Sequence, residues 1–379
     1  MLLAMPLRPP ARRPPASAAL RRVLLIHPGA LGDLVQALPA FGAVRAGFAN
    51  ARVSLLTDAA LGDFAHGTRL FDDVLGFSAQ DAYQGTAGVR LRLLGSLARR
   101  VRQVRPDAVV VFKGAPVYAA LAAASGARWR VGLARGAGRV LLTHPLPIDP
   151  ARHHEDRYLD VVAALGIDRM HRVAASWPER LPDGLPGVPP QAWPLIGMAP
   201  GGARNAKQDM PSKRWSAARF AALAGDLASA HPAAVFVLLG GAGDRAEVDA
   251  VCAALPADRV VDLAGRTDIA TARAVVAALH VYVGNDSGLM HVTATTGTPA
   301  VIAFGPTDPR VIAPRSPHTH ALWCPTPDPP CYDEIAGAHR PCQVPCCIDR
   351  VGVPEMFAAV ETALAREAPP PPALLARNA

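Results

Sequence analysis

The stretch Asp286-Ser287-Gly288-Leu289-Met290-His291 decides the fold of this chain. It lies between two short apolar runs, residues 281–283 and 300–304, whose length and composition are typical of buried strands. The order of strand, small polar turn, helix and strand predicts a βαβ unit with parallel strands. Backbone N–H groups at the start of such a helix point above the sheet, where they can bind a phosphate or a ribose.

The polar residues of this stretch suit a nucleotide ligand. Asp286 can accept hydrogen bonds from two hydroxyl groups, and Ser287 and Gly288 let a ligand approach the backbone closely. His291 follows one helical turn later. A histidine alone is more often a buried, hydrogen-bonded residue than a ligand contact, but its spacing from Asp286 favours a role in binding.

Length and composition indicate a globular protein with two domains. The chain has 379 residues, of which 50% are hydrophobic and 18% charged. The net charge of +8 favours an anionic partner. Helix-turn-helix, zinc-finger and RNP patterns are missing from the sequence, so nucleic acid is the weaker interpretation. The apolar runs of the sequence are shorter than the ~18 residues that a membrane-spanning helix needs. We therefore expect a cytoplasmic protein, whose charge allows peripheral contact with the inner face of the cytoplasmic membrane.

Short apolar runs alternate with helical patterns in both halves of the chain, which predicts an α/β protein with doubly wound parallel sheets. Predicted strands are residues 22–27, 53–57, 73–77, 108–112, 129–133, 195–199, 234–239, 260–263, 281–283 and 300–304. The predicted domains are a disordered extension (1–20), a first Rossmann-like domain (21–178), a proline-rich linker (179–194), a second Rossmann-like domain (195–352), a last helix (353–367) and a disordered tail (368–379).

A second informative turn, Gly29-Ala30-Leu31-Gly32-Asp33, follows the first predicted strand and precedes a helix predicted over residues 33–48. An aspartate at a helix start is most often an N-cap, which stabilises by ~1 kcal/mol. The alternative is a general base. The glycine spacing is not G-x-G-x-x-G, so a dinucleotide-dependent oxidoreductase is not supported.

Two glycine-rich turns follow the first two predicted strands of the second domain. Backbone N–H groups at Gly201 and Gly202 can hold phosphate, and Lys213 or the arginine after it can neutralise a pyrophosphate. Asp244 or Glu247, after the second turn, can bind a ribose or an adenine amine. The alternatives are a solvated basic loop and ordinary turn chemistry.

Five cysteines cluster within 24 residues near the C-terminus: Cys324, Cys331, Cys342, Cys346 and Cys347. Their spacing differs from the paired C-x2-C arms of structural zinc sites. Cytosolic thiols stay reduced, so we do not expect a disulfide framework, and a reduced cluster in a loop is favoured over a metal site at these five cysteines.

Taken together, these motifs resemble the bacterial glycosyltransferases of family 9, the lipopolysaccharide heptosyltransferases. The resemblance covers roughly residues 21–364, and its motifs stand in the family's order. They are the G-x-L-G-D turn with Leu38-Pro39, the Pro-Gly loop before Lys213-Arg214-Trp215, the Gly-rich turn before residues 263–267, the hexapeptide 286–291 and the Phe-Gly-Pro-Thr turn at 304–307.

The resemblance implies a GT-B fold, in which two Rossmann-like domains face each other across a cleft. It implies inverting, metal-independent transfer of a heptose or related sugar from an ADP-sugar, with ADP-heptose as the expected donor, to an anionic lipopolysaccharide or lipid A–core acceptor. Asp33 would be the general base. The expected donor-binding residues are Gly201, Gly202, Lys213, Asp244, Asp286, Ser287, Gly288 and His291, and the expected acceptor-side residues are Gly32, His27 and Lys113.

The chain departs from the family pattern in two places that bear on the site. The loop between Gly202 and Lys213 is longer than expected, and Ser216 stands where the family usually has proline. Two other functions remain open: a nucleotide-sugar epimerase or hydrolase on the same fold, and a non-catalytic nucleotide-binding protein. Dependence of nucleotide release on an acceptor would distinguish a transferase from both.

Overall fold

A computed structural model describes residues 20–177, 185, 188–189, 192–323, 331–333, 338–339 and 347–365. The predicted N-terminal extension (apart from Leu20), most of the linker and the predicted tail lie outside these ranges. The chain forms two compact units, one of Met1–Ala30 with Gln36–Trp177 and the other of Leu31–Val35 with Pro178–Ala379. The sequence did not predict that the segment Leu31–Val35 belongs with the second unit.

The first unit contains a six-stranded sheet in the order β3-β2-β1-β4-β5-β6, and every neighbouring pair is parallel. The central strands β1 and β4 are buried almost throughout, because helices cover both faces of the sheet. The strands are β1 (Arg22–Ile26), β2 (Arg52–Asp58), β3 (Asp73–Phe77), β4 (Ala108–Val111), β5 (Trp129–Leu133) and β6 (His144–Leu146). The helices numbered before the second sheet are α1 (Leu31–Gly47), α2 (Gly62–Gly67), α3 (Ala79–Gln84), α4 (Ala87–Val104), α5 (Pro116–Ala124), α6 (Gly138–Leu141) and α7 (His154–Ala163).

The second unit contains another six-stranded parallel sheet, in the order β12-β11-β10-β7-β8-β9. If the six strands of each sheet are numbered from its own first strand, both sheets have the order 3-2-1-4-5-6. The architecture of the first unit is therefore repeated in the second. The strands are β7 (Leu195–Ala199), β8 (Val235–Leu238), β9 (Val260–Asp262), β10 (Val281–Asn285), β11 (Ala300–Phe304) and β12 (Thr319–Trp323), with a short antiparallel pair β13 (Tyr332–Asp333) and β14 (Ala338–His339). The helices are α8 (Ala217–Ala230), α9 (Arg245–Cys252), α10 (Ile269–Ala278), α11 (Gly288–Thr293), α12 (Pro309–Ile312) and α13 (Val353–Ala365).

The two doubly wound parallel sheets confirm the predicted fold class. Some predicted bounds were wrong. Helix α1 begins at Leu31, two residues before the predicted start. Helix α8 begins at Ala217, three residues late, because the Ser216 hydroxyl caps it by accepting a hydrogen bond from the backbone N–H of Arg219. The sequence also missed the edge strands β6 and β12 and the helix α7.

The last helix is part of the second unit's core rather than a separate element. Met356, Val360 and Ala363 of α13 are buried among the apolar residues of the second sheet and of α8. The indole N–H of Trp215 donates to the carbonyl of Val351, just before α13, at 2.8 Å. Within the part of the chain that the structure describes, no helix is long and apolar enough to cross a membrane.

Candidate nucleotide-sugar site

The predicted donor residues follow the carboxyl ends of neighbouring strands in the second sheet. Strands β7 and β10 are paired in parallel at the point where the strand order reverses. Ligands of open α/β sheets bind outside the carboxyl ends of the strands at such a point. The glycine turn follows β7, the Gly-rich turn follows β8, and the hexapeptide begins where β10 ends. The topology therefore brings together segments that are far apart in the sequence.

Asp286 and Lys213 form a buried ion pair at this edge. The ammonium Nζ of Lys213 lies 2.7 Å from the carboxylate Oδ2 of Asp286, and the two side chains are 9% and 3% exposed. The Thr307 hydroxyl, from the turn after β11, donates to the same oxygen. The Lys213 ammonium also lies 5.2 Å from the centre of the Tyr332 ring. Residues from three separate turns therefore meet at one carboxylate.

These contacts hold Asp286 in its ionised form. Burial raises the pKa of this carboxyl, but the Lys213 charge, the hydrogen bonds from Lys213 and Thr307, and His291 together lower the pKa below its usual value of 3.8. The sequence predicted that Asp286 accepts ligand hydroxyls and that Lys213 contacts phosphate. In the structure each has the other as a partner, so those ligand contacts stay predictions.

Asn285 is a site residue that the sequence analysis missed. It is the last residue of β10 and is fully buried. Its amide nitrogen donates to the carbonyls of Pro200 and Gly201 at 2.9 and 3.1 Å, and its oxygen accepts from the backbone N–H of Trp215 at 2.9 Å. Asn285 thereby fixes the start and the end of the loop that carries Lys213. A polar residue ending an apolar strand, next to Asp286, was the available signal.

Asp244 joins the turns after β7 and β8. Its carboxylate accepts hydrogen bonds from the backbone N–H groups of Gly202 and Gly241 at 2.9 and 2.8 Å, and from the guanidinium of Arg204 at 2.5 Å. Arg204 also pairs with Glu247 at 2.5 Å. Three protein donors therefore already engage Asp244, and these contacts favour a positioning role over the predicted contact with the nucleoside.

The long loop before Lys213 is ordered by local contacts. Arg204 and Asp209 form an isolated antiparallel bridge, and the Asn205 side chain accepts from the backbone N–H groups of Lys207 and Gln208 at 2.9 and 3.1 Å. The loop therefore folds back on itself as a small hairpin, which accommodates its extra length.

The glycine turn lies directly against the hexapeptide. Gly202 adopts a φ of +87°, and a Cβ atom built on it would lie 2.7 Å from the Cβ of Ser287. Ser287 occupies the N-cap position of α11, where its backbone is extended and its side chain makes no capping hydrogen bond. Because neither the φ value nor the space suits a side chain, glycine is required at residue 202. The binding roles of Gly202, Ser287 and Gly288 stay predictions.

His291 lies beside the start of α1, within the second unit. A Cβ atom built on Gly32 would lie 2.4 Å from Cδ2 and 2.9 Å from Nε2 of His291, and one built on Gly288 would lie 3.1 Å from the Cβ of Leu31. His291 is 3% exposed. Gly32 is therefore required for packing against the imidazole, a reason that differs from the predicted role on the acceptor side.

Asp33 is the residue after Gly32 in the sequence. It is the third residue of α1, inside the first helical turn rather than at the N-cap, and its side chain is half-buried. A carboxylate in the first turn is favoured by the helix dipole. Its neighbour Gly32 contacts His291 of the hexapeptide, which places the backbone of residue 33 near the predicted donor segment.

The two remaining acceptor-side predictions lie in the first unit. His27 is fully buried, and its ring packs against the rings of Phe41, Phe112 and Tyr158 at centroid distances of 5.5–6.0 Å. These contacts favour a packing role for His27, and its acceptor contact stays a prediction. Lys113 follows β4, is half-buried and lies 6.0 Å above the Tyr158 ring.

Two of the five clustered cysteines lie within the described residues. Cys324, Cys342 and Cys346 lie outside the described residues, and Cys331 and Cys347 are half-buried and buried. Among the described residues, no group of three or more histidine, cysteine or acidic side chains could hold a metal ion.

The fold and the site together define the class of protein. Two Rossmann-like sheets, one with a charged and glycine-lined edge at its reversal point, are typical of nucleotide-binding α/β proteins. Residues 94–337 match the family model of glycosyltransferase family 9 (heptosyltransferase). The chain belongs to this family.

Known relatives agree with this assignment. Lipopolysaccharide heptosyltransferase 2 of Salmonella typhimurium is 36% identical over 126 residues, which is 32% of this chain and 34% of the relative. The match thus spans about a third of that relative's length. The solved structure of the E. coli ADP-heptose LPS heptosyltransferase II has a TM-score of 0.68 at 22% identity, covering 90% of this chain and 98% of that one. A family 9 glycosyltransferase from Veillonella parvula has a TM-score of 0.73 at 19% identity, covering 93% and 99%. These likenesses confirm the GT-B-like fold.

Proposed function

We propose that this protein transfers a heptose, or a related sugar, from an ADP-sugar to the inner core of a lipopolysaccharide acceptor. The proposal includes inversion at the sugar carbon and independence from metal ions. Family membership supports the reaction class, and the name of the E. coli relative supports ADP-heptose as donor.

The single observation that carries the proposal is the buried network at the end of β10. Asp286, Lys213 and Thr307 meet there, and Asn285 fixes the loop that holds Lys213. A departing nucleoside diphosphate needs positive charge and N–H donors. Lys213 supplies the charge, and the glycine turn and the Ser287–Gly288 backbone supply the donors. Protein groups thereby serve the purpose that a divalent cation serves in metal-dependent transferases.

Asp33 is the proposed general base. As the acceptor oxygen forms its bond to the anomeric carbon, the bond from that carbon to the diphosphate oxygen breaks, and the hydroxyl proton passes to the Asp33 carboxylate. The contact between Gly32 and His291 supports this role, because it ties the backbone next to Asp33 to the donor segment. A stereochemically inverted product is the outcome of one such displacement.

The test is release of ADP from ADP-heptose in the presence of heptose-deficient lipopolysaccharide. Asp33→Asn should lower the rate by at least ~100-fold, because general base catalysis contributes about 10²–10⁴, while ADP affinity stays unchanged. Asp63→Asn is the matched control, since Asp63 is also an acidic residue in the first turn of a helix and is exposed. NMR of the product should show an inverted anomeric configuration, and turnover should persist in EDTA.

Other outcomes would identify the alternatives. Full activity of Asp33→Asn would show that Asp33 serves only the helix. Conversion of the donor without acceptor would indicate an epimerase or hydrolase, and ADP binding without turnover would indicate a binding protein.

A further inference from the structure

The positive charge of the chain is concentrated in one segment. Residues 87–142 contain eleven lysine or arginine residues and one acidic residue, Asp107, which corresponds to a charge of +10. The whole chain carries +8, so all other residues together carry −2. Asp107 is itself engaged, because its carboxylate accepts from the backbone N–H groups of Arg21 and Arg22 at 2.8 and 2.9 Å. The charge that suggested an anionic partner therefore belongs to this segment, which lies in the first unit.

Helix α4 contains five of these eleven cations, including the exposed Arg92, Arg99 and Arg102. Leu91, Gly95, Arg99 and Arg102 follow one another at spacings of four, four and three residues, so they share one helical face. Leu91 is 72% exposed, and the arginines of this face are exposed. The helix contains no acidic residue. Within the described part of the chain, Arg99 and Arg102 form no ion pair.

The opposite side of α4 packs on the first sheet. Leu97 and Val101 are buried in a cluster that also includes residues of α5 and of strands β1, β2 and β4. Helices α4 and α5 pack side by side, as do α5 and α6. On α6, Val140 is 77% exposed and follows Arg139. Exposed aliphatic side chains therefore stand next to arginines on both α4 and α6.

We propose that the outer face of α4, together with Val140 on α6, docks the protein on an anionic membrane surface. This inference deepens the proposed function, because a lipid-anchored acceptor lies in a membrane, but the observations that carry it are independent of the reaction. Amphipathic helices with a basic polar face and exposed leucines lie in the plane of a membrane, with the leucines at the boundary of the acyl chains. Arginines beside them bind lipid phosphates.

The composition of this face favours lipid over nucleic acid. Single-stranded nucleic acids are bound by aromatic side chains on which bases stack. The exposed large apolar residues here are instead the aliphatic Leu91, Leu94 and Val140. Aliphatic groups gain free energy by leaving water for an acyl layer, whereas bases offer them no matching surface.

The experiment is co-sedimentation of the full-length chain with vesicles, without donor or acceptor. One vesicle set is phosphatidylcholine alone, and the other contains phosphatidylcholine and phosphatidylglycerol at about 7:3. The chain should bind the anionic vesicles, and rising salt should weaken binding. Arg92→Gln/Arg99→Gln/Arg102→Gln should weaken it roughly tenfold to a hundredfold. Leu91→Gln/Leu94→Gln should weaken it by about tenfold, because two aliphatic side chains no longer enter the acyl layer.

The matched control removes three exposed arginines elsewhere: Arg169→Gln/Arg266→Gln/Arg350→Gln. It changes the net charge by the same amount and should weaken binding by less than about threefold. Equal loss in both arginine triples would overturn the proposal, because attraction would then depend on net charge alone. Unchanged binding of the leucine variant would also overturn it, as would failure to bind anionic vesicles while a single-stranded oligonucleotide is bound.

Vesicle binding requires no turnover, so Asp33→Asn should sediment like the parent chain. Failure of the membrane proposal and failure of the proposed reaction are therefore separate results. Circular dichroism of each variant reports whether α4 is still folded.

Discussion

Replacing Lys213 by methionine should destabilise the second unit by about 3–5 kcal/mol. Methionine keeps most of the length of the side chain but removes its charge. The Asp286 carboxylate would then stay buried, 3% exposed, with the Thr307 hydroxyl and the nearby His291 as its remaining favourable contacts. A buried charge without its counter-ion is among the most costly defects in a folded protein.

The magnitude follows from the geometry of the pair. Two unit charges 2.7 Å apart attract by ~6 kcal/mol at an effective dielectric constant of ~20. Desolvation of both groups cancels part of this attraction. The lowered pKa of Asp286 indicates that its favourable contacts with Lys213, Thr307 and His291 together exceed the effect of burial on this carboxylate. If one partner is removed, the attraction is lost but the other charge stays buried and desolvated. The double variant Lys213→Met/Asp286→Asn removes both charges, so its free energy of unfolding should lie within ~2 kcal/mol of that of the parent chain.

Urea unfolding followed by tryptophan fluorescence measures these free energies. Trp215 is fully buried in the same unit and lies two residues from Lys213, so it reports on this region. Lys113→Met is the control, because Lys113 is a half-buried lysine in the first unit and should cost less than ~1 kcal/mol. A loss below ~1 kcal/mol for Lys213→Met, as for an exposed pair, would refute the reasoning. A double variant as unstable as the sum of the two single variants would refute it too.

Three further predictions concern the same network. Asn285→Ala should lower the free energy of unfolding by about 2–4 kcal/mol, because three backbone groups lose their partner; urea unfolding checks this. Gly202→Ala should destabilise the protein by at least about 1–2 kcal/mol and weaken ADP binding, because its φ is +87° and the new Cβ would meet Ser287. The control Gly225→Ala, in open space within α8, should be neutral or stabilising. Because folding lowers the pKa of Asp286 below 3.8, its ionised carboxylate stabilises the fold above pH 3.8. This contribution is lost as the pH falls through the pKa of Asp286 in the folded state. The parent chain should therefore lose more stability than Asp286→Asn between about pH 5 and pH 2.

The fold was predictable where burial makes a strand uniformly apolar. Strands β3, β5, β7 and β11 have the predicted bounds, and three of them are almost entirely buried. The two missed strands of the six-stranded sheets are both at sheet edges, where one neighbour and partial exposure allow polar residues. Strand β6 has three residues including Pro145, and β12 begins with Thr319 and His320.

The site was predictable as a set of segments but not as a set of contacts. The sequence placed Asp286 and Lys213 near a ligand, because turns after parallel strands meet at one edge. It could not show that the two pair with each other, since that depends on which strands are neighbours and how the loop before Lys213 folds. For the same reason it assigned Asp244 to the nucleoside, whereas the turn geometry directs backbone N–H groups at that carboxylate. His27 differs: a polar residue at a strand end gave no sign that aromatic rings enclose it.

The structure also changes what the net charge means. In the second unit, three cations around the proposed donor site form ion pairs with acidic neighbours: Lys213 with Asp286, Arg204 with Asp244 and Glu247, and Arg214 with Asp209. Under the proposed function, a donor diphosphate would therefore share Lys213 with Asp286 and would rely on backbone N–H groups for much of its binding. On α4, by contrast, Arg99 and Arg102 pair with no acidic residue in the described ranges. The excess positive charge of residues 87–142 thus lies in the first unit and not around the proposed donor site.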